Sequence, residues 1–262
     1  MPGTRRIFAL GLALIIFSGN ALASEILVAA ASDLSFPMKE IISAFEKKTR
    51  HSVKLTLGSS GNFQAQIING APFDVYMSAD TENVRQLEKL KLVEPNSTYV
   101  YAIGRIVIWV PNRSPIDIAR LGMESLLDQS AKKVAIANPE HAPYGRAAVA
   151  AMEHFKVYDR VKPRLVLGEN IAQAAQFVST RAADIGIIAL SLAISDSMRT
   201  SGRYWAIPLD SYPRIEQGMA ILTQARKAGH YDAAKVFHDW IATEDSRAIL
   251  KKYGFFLPEN PK

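Results

Sequence analysis

The chain has 262 residues, of which 31 are lysine or arginine and 25 are aspartate or glutamate, giving a formal net charge of +6. So mild a charge is weak support for nucleic acid or an anionic membrane surface as the partner. The sequence contains no cysteine. This excludes a disulfide framework, a thiolate metal site, a cysteine nucleophile and a lipid-modified cysteine.

Residues 1–23 have the organisation of a secretory signal peptide. Arg5 and Arg6 precede an apolar run from Ile7 to Phe17, and Ala21-Leu22-Ala23 fits a cleavage site. The general export route is favoured over a twin-arginine route, because adjacent arginines are common in the positive region of any signal peptide. Cleavage would leave 239 residues with 29 basic and 25 acidic side chains, a net charge of +4. We therefore expect an exported, unanchored protein.

The remainder of the chain predicts two successive α/β series. The first consists of strands and helices in alternation: Glu25–Ala31, Leu34–Lys48, Ser52–Leu57, Phe63–Asn69, Asp74–Ser78 and Thr81–Lys91. A single long apolar strand, Tyr101–Val110, follows and is stopped by Pro111. Alternation of this kind predicts parallel strands with helices on the faces of the sheet.

The second series has the same rhythm. Its predicted elements are Lys133–Ala137, Gly145–Phe155, Arg164–Leu167, Ile171–Thr180, Asp184–Ala189 and Arg203–Ile207, then Gly218–Thr223, Ala233–Ile241 and Asp245–Tyr253. Gly254 stands where a helix C-cap glycine is expected. No flexible linker separates the two series. We therefore predict two similar α/β lobes with mainly parallel central sheets, joined by hinge strands, with a ligand cleft between them.

Polar or glycine-containing segments follow four of the predicted strands and lead directly into helices. They are Ser32-Asp33, Gly58-Ser59-Ser60-Gly61, Asn138–Gly145 and Gly168-Glu169-Asn170-Ile171. Ligands of open α/β sheets bind outside the carboxyl ends of the strands. Helix N-termini present unpaired N–H groups and partial positive charge, and serine hydroxyls add further donors. Each serine alone is explained by helix capping, but the four segments together predict a site for a small oxyanion.

Six motifs in order carry a resemblance to a known family. They are Ala29-Ala-Ala-Ser-Asp-Leu34, Gly58-Ser-Ser-Gly61, Ala71-Pro-Phe-Asp-Val-Tyr-Met-Ser-Ala-Asp80, Asn138-Pro-Glu-His-Ala-Pro-Tyr-Gly145, Gly168-Glu-Asn-Ile171 and Lys252-Tyr-Gly-Phe255. Together they resemble the periplasmic molybdate- and tungstate-binding proteins of ABC transporters, within the type II periplasmic binding proteins. The resemblance covers nearly all of the chain after residue 23.

The resemblance implies the protein's organisation and partners. Lobe I would comprise residues 24–104 plus 214–262, and lobe II residues 105–213. The lobes would close on molybdate or tungstate in the periplasm and deliver the anion to an ABC permease in the inner membrane. The protein would be a monomer that uses no cofactor, catalyses no reaction and binds no nucleic acid.

The resemblance also implies which residues bind the anion. Hydroxyls of Ser32 and Ser60 and backbone N–H groups of Asp33, Tyr144 and Ile171 would donate to its oxygens, so that no protein atom coordinates the metal. Ser59, Gly61 and Asn170 would support these donors.

Two positions depart from the pattern of the family. Many relatives have a tyrosine after the strand that matches Asp184–Ile188, where this chain has Ala189. We hypothesise that the hydroxyl of Tyr144 enters the pocket and replaces that donor; the alternative is a tyrosine packed on the lobe surface. Asp33 stands where some relatives carry a neutral residue, and we expect it to cap its helix with its charge turned away. Alternatively, its carboxylate accepts a proton from a hydrogen-bearing anion.

Two alternative functions stay open at this point. One is binding of another oxyanion such as sulfate or phosphate. The other is an exported serine hydrolase that uses Ser59 or Ser60 with a histidine. His141 is the histidine closest to a proposed site segment, and there is no Gly-x-Ser-x-Gly elbow.

Overall fold

The computed structural model describes residues 23–259, and the predicted signal peptide, apart from Ala23, lies outside them. The strands are β1 (Glu25–Ala31), β2 (Ser52–Gly58), β3 (Val75–Met77), β4 (Tyr99–Gly104), β5 (Ile106–Pro111), β6 (Val134–Ala137), β7 (Leu165–Gly168), β8 (Ile185–Ala189), β9 (Gly202–Ala206) and β10 (Ile215–Ile221). They form two five-stranded sheets with the orders β2-β1-β3-β10-β4 and β7-β6-β8-β5-β9. The prediction of two α/β lobes is confirmed, and each lobe is built on one of these sheets.

Helices cover the faces of both sheets. They are α1 (Pro37–Lys48), α2 (Ser60–Ile68), α3 (Thr81–Lys89), α4 (Ile118–Leu121), α5 (Pro143–His154), α6 (Tyr158–Val161), α7 (Ile171–Ser179), α8 (Leu190–Ala193), α9 (Asp196–Ser201), α10 (Thr223–Lys227), α11 (Tyr231–Ile241) and α12 (Glu244–Lys252). Within residues 23–259, no helix has both the length and the apolar character that crossing a membrane requires.

The expectation of mainly parallel sheets is only partly right. In the first sheet β1 is parallel to β2 and β3, whereas β10 is antiparallel to β3 and β4. The second sheet repeats this division, with β6 parallel to β7 and β8, and β5 antiparallel to β8 and β9. The antiparallel strands are those next to the crossings between the sheets, where the chain enters and leaves each lobe without a crossover helix.

The long apolar run predicted as one strand is divided at Arg105 into two strands. β4 belongs to the first sheet and β5 to the second. Both halves are buried, so the hydrophobic pattern continues without interruption while the chain changes sheets. Periodicity reports burial rather than sheet membership, and the prediction of one strand was therefore wrong.

The second lobe packs tightly around Trp109 of β5. This side chain is fully buried, and its ring lies against the backbone of Gly202 at the start of β9. A Cβ atom at position 202 would lie 2.0 Å from Trp109 Cζ2 and 2.5 Å from the carbonyl oxygen of Val110. Both neighbours are fixed within the sheet, so the position accepts glycine alone without rearrangement.

We expect Gly202→Ala to lower the free energy of unfolding by about 3 kcal/mol, because the added methyl group must displace the buried indole or the sheet backbone. The matched control is Gly70→Ala, where a Cβ meets nothing within 4 Å. That control should lose about 1 kcal/mol from its left-handed backbone. Urea unfolding followed by tryptophan fluorescence measures both variants, and equal losses would contradict the packing argument.

Candidate functional site

The four polar segments predicted to form a site do come together in the structure. They line one small cavity between the lobes. Its lining residues are Ala31, Ser32, Asp33, Gly58, Ser59, Ser60, Ala79, Ala142, Pro143, Tyr144, Asn170 and Ile171. All predicted site residues except Gly61 are among them, and the backbone N–H of Gly61 donates to the carbonyl of His141 in the facing lobe, at 2.9 Å.

The strand-to-helix junctions account for this convergence. β1 and β2 are parallel neighbours and end side by side at Ala31 and Gly58. β6 and β7 end side by side in the same way at Ala137 and Gly168 in the other lobe. The first turns of α2, α5 and α7, together with a 3-10 turn at Ser32–Leu34, therefore point toward the cavity.

Several donors at the cavity have no acceptor among the described residues. These are the backbone N–H groups of Tyr144 and Ile171 and the hydroxyl hydrogen of Ser60. The Ser60 oxygen itself accepts from the backbone N–H of Ala79 at 2.9 Å, which fixes its position. A buried donor without an acceptor costs free energy. The arrangement therefore favours an acceptor-rich ligand.

Ser32 belongs to the first lobe but makes its hydrogen bonds with the second. Its hydroxyl donates to Asn170 Oδ1 at 3.1 Å and accepts from the backbone N–H of Ala172 at 3.2 Å. Asn170 is at the same time the N-cap of α7, because its Oδ1 accepts from the backbone N–H of Gln173. The predicted supporting role of Asn170 thus has a geometric basis, since it orients Ser32 at the start of α7.

Ser59 lies 2.9 Å from His141, measured from Oγ to Nδ1, and the same hydroxyl donates to the His141 carbonyl oxygen at 2.7 Å. Both contacts of Ser59 with His141 join the two lobes. Hydrogen bonds made by Ser32, Ser59 and Gly61 thus join the two lobes around the cavity.

The carboxyl group of Asp33 lies at the centre of a buried hydrogen-bond network that sequence reasoning did not anticipate. Tyr144 donates its hydroxyl to Asp33 Oδ2 at 2.8 Å, and Gln217 Nε2 donates to the same oxygen at 2.5 Å. Gln217 Nε2 also lies 2.9 Å from the Tyr144 hydroxyl, and Gln217 Oε1 accepts from Tyr101 at 2.7 Å. The network joins β10, β4 and α5, and so both lobes.

The predicted orientation of Asp33 needs correction. No side-chain cap is present at the 3-10 turn Ser32–Leu34, so Asp33 does not cap a helix. Its carboxyl group instead accepts hydrogen bonds from the side chains of Tyr144 and Gln217. The hydrogen of the Tyr144 hydroxyl goes to Asp33, and contact of that hydroxyl with an anion stays a prediction. Tyr144 is buried rather than packed on a lobe surface.

Burial has the largest effect on the pKa of both Asp33 and Tyr144. Burial raises the pKa of Asp33 to about 6, although the hydrogen bonds from Gln217 and Tyr144 partly oppose that rise. Burial, followed by the nearby negative charge of Asp33, raises the pKa of Tyr144 well above its ordinary value. Tyr144 therefore remains a donor at neutral pH, and Asp33 titrates close to neutrality.

Gln217 is a residue of this network that the sequence prediction missed. Its strand was predicted to begin at Gly218, whereas β10 begins at Ile215. A polar residue directly before the predicted apolar strand was the available signal, and Gln217 is buried beside a register shift at Gln217/Gly218. Ser191 also went unpredicted; its hydroxyl donates to the backbone carbonyl of Asp33 at 2.8 Å.

Two lobes that bring hydrogen-bond donors together around a small cavity are typical of a solute-binding protein. The profile of the bacterial extracellular solute-binding protein family matches residues 26–256, and the chain belongs to that family. It is therefore a binding protein and not a hydrolase. Within residues 23–259, no group of three or more His, Asp or Glu side chains is arranged to hold a metal ion.

Two relatives and one solved structure show which members of the family this chain is similar to. The chain is 36% identical to the molybdate-binding protein ModA of Rhodobacter capsulatus, over 97% of both chains. It is 37% identical to the ModA protein of Azotobacter vinelandii, over 97% of this chain and 98% of that one. The solved periplasmic molybdate-binding protein of Azotobacter vinelandii superposes with a TM-score of 0.81 at 31% identity, covering 89% of this chain and 100% of that chain.

The buried carboxyl group gives a pH-dependent prediction for stability. The pKa of Asp33 is raised on folding from 3.8 to about 6, so ionised Asp33 disfavours the folded state above that range. Asp33→Asn should increase the free energy of unfolding by about 3 kcal/mol at about pH 8, and the gain should vanish near pH 3. Urea unfolding at both pH values measures this, and a gain that does not depend on pH would contradict it.

Proposed function

We propose that this protein captures molybdate, and tungstate as a second ligand, in the periplasm and delivers it to the permease of an ABC transporter. The observation that carries the proposal is the convergence, on one cavity, of unpaired donors from both lobes: the Ser60 hydroxyl and the backbone N–H groups of Tyr144 and Ile171. Such donors suit an anion that carries acceptors on all sides. The names of the two ModA relatives support molybdate as that anion.

The anion would be held by its oxygens. Ser32 and Ser60 would donate their hydroxyls, and Asp33, Tyr144 and Ile171 their backbone N–H groups. Ser59, Gly61 and Asn170 would hold these donors in place through the contacts between lobes described above. For Ser32, this requires the hydroxyl hydrogen now donated to Asn170 to turn toward the anion.

Closure would be a hinge motion of lobe I, residues 24–104 plus 214–262, against lobe II, residues 105–213. The chain crosses between the sheets at Arg105, between β4 and β5, and again between β9 and β10. Short crossings of this kind concentrate a rotation in a few backbone torsions. We propose that the protein works as a monomer, that it is exported by the signal peptide at residues 1–23, and that it needs no cofactor.

Calorimetric titration of the ligand-stripped mature protein with molybdate, tungstate, sulfate and phosphate tests the proposal. We expect one-to-one binding of the first two ions and no heat from the others, if the closed cavity selects by the size of the anion. Binding of sulfate or phosphate alone would keep the fold and overturn the ligand.

Ser60→Ala should weaken molybdate binding by roughly tenfold to a hundredfold, since it removes one hydrogen bond to a charged acceptor. Ser195→Ala is the matched control, because Ser195 is equally buried but donates to the carbonyl of Leu192 away from the cavity. Equal affinities of the two variants would place Ser60 outside the site.

Tyr144→Phe should weaken molybdate binding several-fold, because the closed form loses the buried bond between Tyr144 and Asp33. Tyr99→Phe serves as the control, since the Tyr99 hydroxyl donates within the first lobe, to the carbonyl of His238. Calorimetry on both variants measures the difference. Unchanged affinity of Tyr144→Phe would show that this hydroxyl contributes neither to closure nor to the ligand.

A further inference from the structure

Asp33 is the one carboxylate among the residues that line the cavity. Its side chain is fully buried, and its backbone N–H is one of the proposed donors to the anion. A site that takes up a doubly charged anion therefore contains, in one of its own binding residues, a group able to carry a further negative charge.

The two oxygens of this carboxyl group have different surroundings. Both donors, the Tyr144 hydroxyl and Gln217 Nε2, bond to Oδ2. Oδ1 is buried and has no hydrogen-bond partner among the described residues. A protonated carboxyl group accepts through one oxygen and carries its hydrogen on the other. Oδ2 is thus occupied by two donors, which leaves Oδ1 as the oxygen that can carry a proton.

The groups around Asp33 supply no positive charge. Tyr144 faces it from α5 and Tyr101 from β4, and burial raises the pKa of both hydroxyls well above the ordinary value. Gln217 from β10 and Ser191 from α8 are neutral. At the N-terminus of α7, the cavity-lining residues Asn170 and Ile171 carry no titratable group.

The cation to consider on α5 is Arg146, which follows the first turn of that helix. It is paired with Asp80 across the lobes. Its charge is therefore already matched by a carboxylate, and it makes no hydrogen bond to Asp33 in the described part of the chain. An ionised Asp33 and a bound dianion would consequently repel each other in a site of low dielectric constant.

We propose that capture of a doubly charged oxyanion is coupled to protonation of Asp33, which takes one proton from solvent and holds it on Oδ1. This inference rests on the proposed function, because it uses the placement of the anion at Ser32 and Asp33. Coupling between two ligands is reciprocal. If the dianion favours the protonated carboxyl group, then protonation must favour the dianion to the same extent.

The direction of the pH dependence follows from this coupling. Below the pKa of about 6 in the free protein, Asp33 already carries its proton, and the affinity for the dianion should not depend on pH. Above it, the affinity should fall by up to about tenfold per pH unit, because binding then requires proton uptake. The fall ends at the higher pKa of the anion-bound form.

Calorimetric titration with molybdate from about pH 5 to about pH 9 tests the coupling. Repeating the titrations above neutral pH in Hepes and in Tris, which differ in ionisation enthalpy, counts the protons taken up. For the wild-type protein we expect uptake that approaches one proton per anion above the pKa of free Asp33, together with the fall in affinity.

Asp33→Asn keeps the shape of the side chain and cannot be ionised. We expect it to bind molybdate with an affinity independent of pH and without proton uptake, and to bind more tightly than the wild type at the alkaline end. Glu94→Gln is the matched control. It removes a largely buried carboxylate of the same lobe whose partner, Arg226, also belongs to that lobe, so the pH slope of the wild type should persist.

The outcomes separate the two proposals. Molybdate binding with a flat affinity and no proton uptake in the wild type overturns the role of Asp33 and leaves the proposed function intact. A pH slope that persists in Asp33→Asn also overturns that role. Binding of sulfate and not molybdate overturns the proposed ligand, and the slope measured with sulfate then decides on Asp33. Absence of binding by either anion overturns both proposals.

Discussion

The hydrogen bonds that Tyr144 and Gln217 donate to Asp33 are the interaction on which the site depends. The bond from Tyr144 joins α5 of one lobe to the start of the first helical segment of the other, and the bond from Gln217 links that segment to β10 of its own lobe. The bond between Tyr144 and Asp33 connects two residues whose backbone N–H groups are both proposed donors to the anion. Their spacing is thus set by a side-chain contact formed when the lobes are closed, and a hinge rotation large enough to open the cleft must break that contact.

The general outline of this arrangement could be predicted from the sequence, because it follows from local rules. The predicted ends of β1, β2, β6 and β7 lead into helix N-termini, and parallel neighbours must end at the same edge of a sheet. The division of the apolar run at Arg105 could not be predicted, because both halves are buried and periodicity does not record which sheet a strand joins. The place of Gln217 in the site could not be predicted either, because its partners Asp33, Tyr144 and Tyr101 are distant in the sequence.

The same limit applies to the carboxyl group of Asp33. Its position after β1 was evident, and helix capping was the ordinary expectation for an aspartate there. Its two partners lie 111 and 184 residues away along the chain. A contact of that separation arises from the packing of the two lobes, so the site could be predicted as a set of backbone positions but not as a hydrogen-bond network.

Because the donors that line the cavity are neutral, recognition of an anion depends on the geometry of its hydrogen bonds. Without a cation in its lining, an anion must recover its lost hydration through N–H and O–H groups alone. Each such donor is directional, and the donors come from both lobes, so only the closed form offers the complete set. The uncompensated carboxyl group of Asp33 works against a dianion in this same cavity unless it holds a proton. Burial already moves its pKa toward neutrality. The free energy needed to complete that protonation is therefore small compared with the hydrogen bonds that closure supplies.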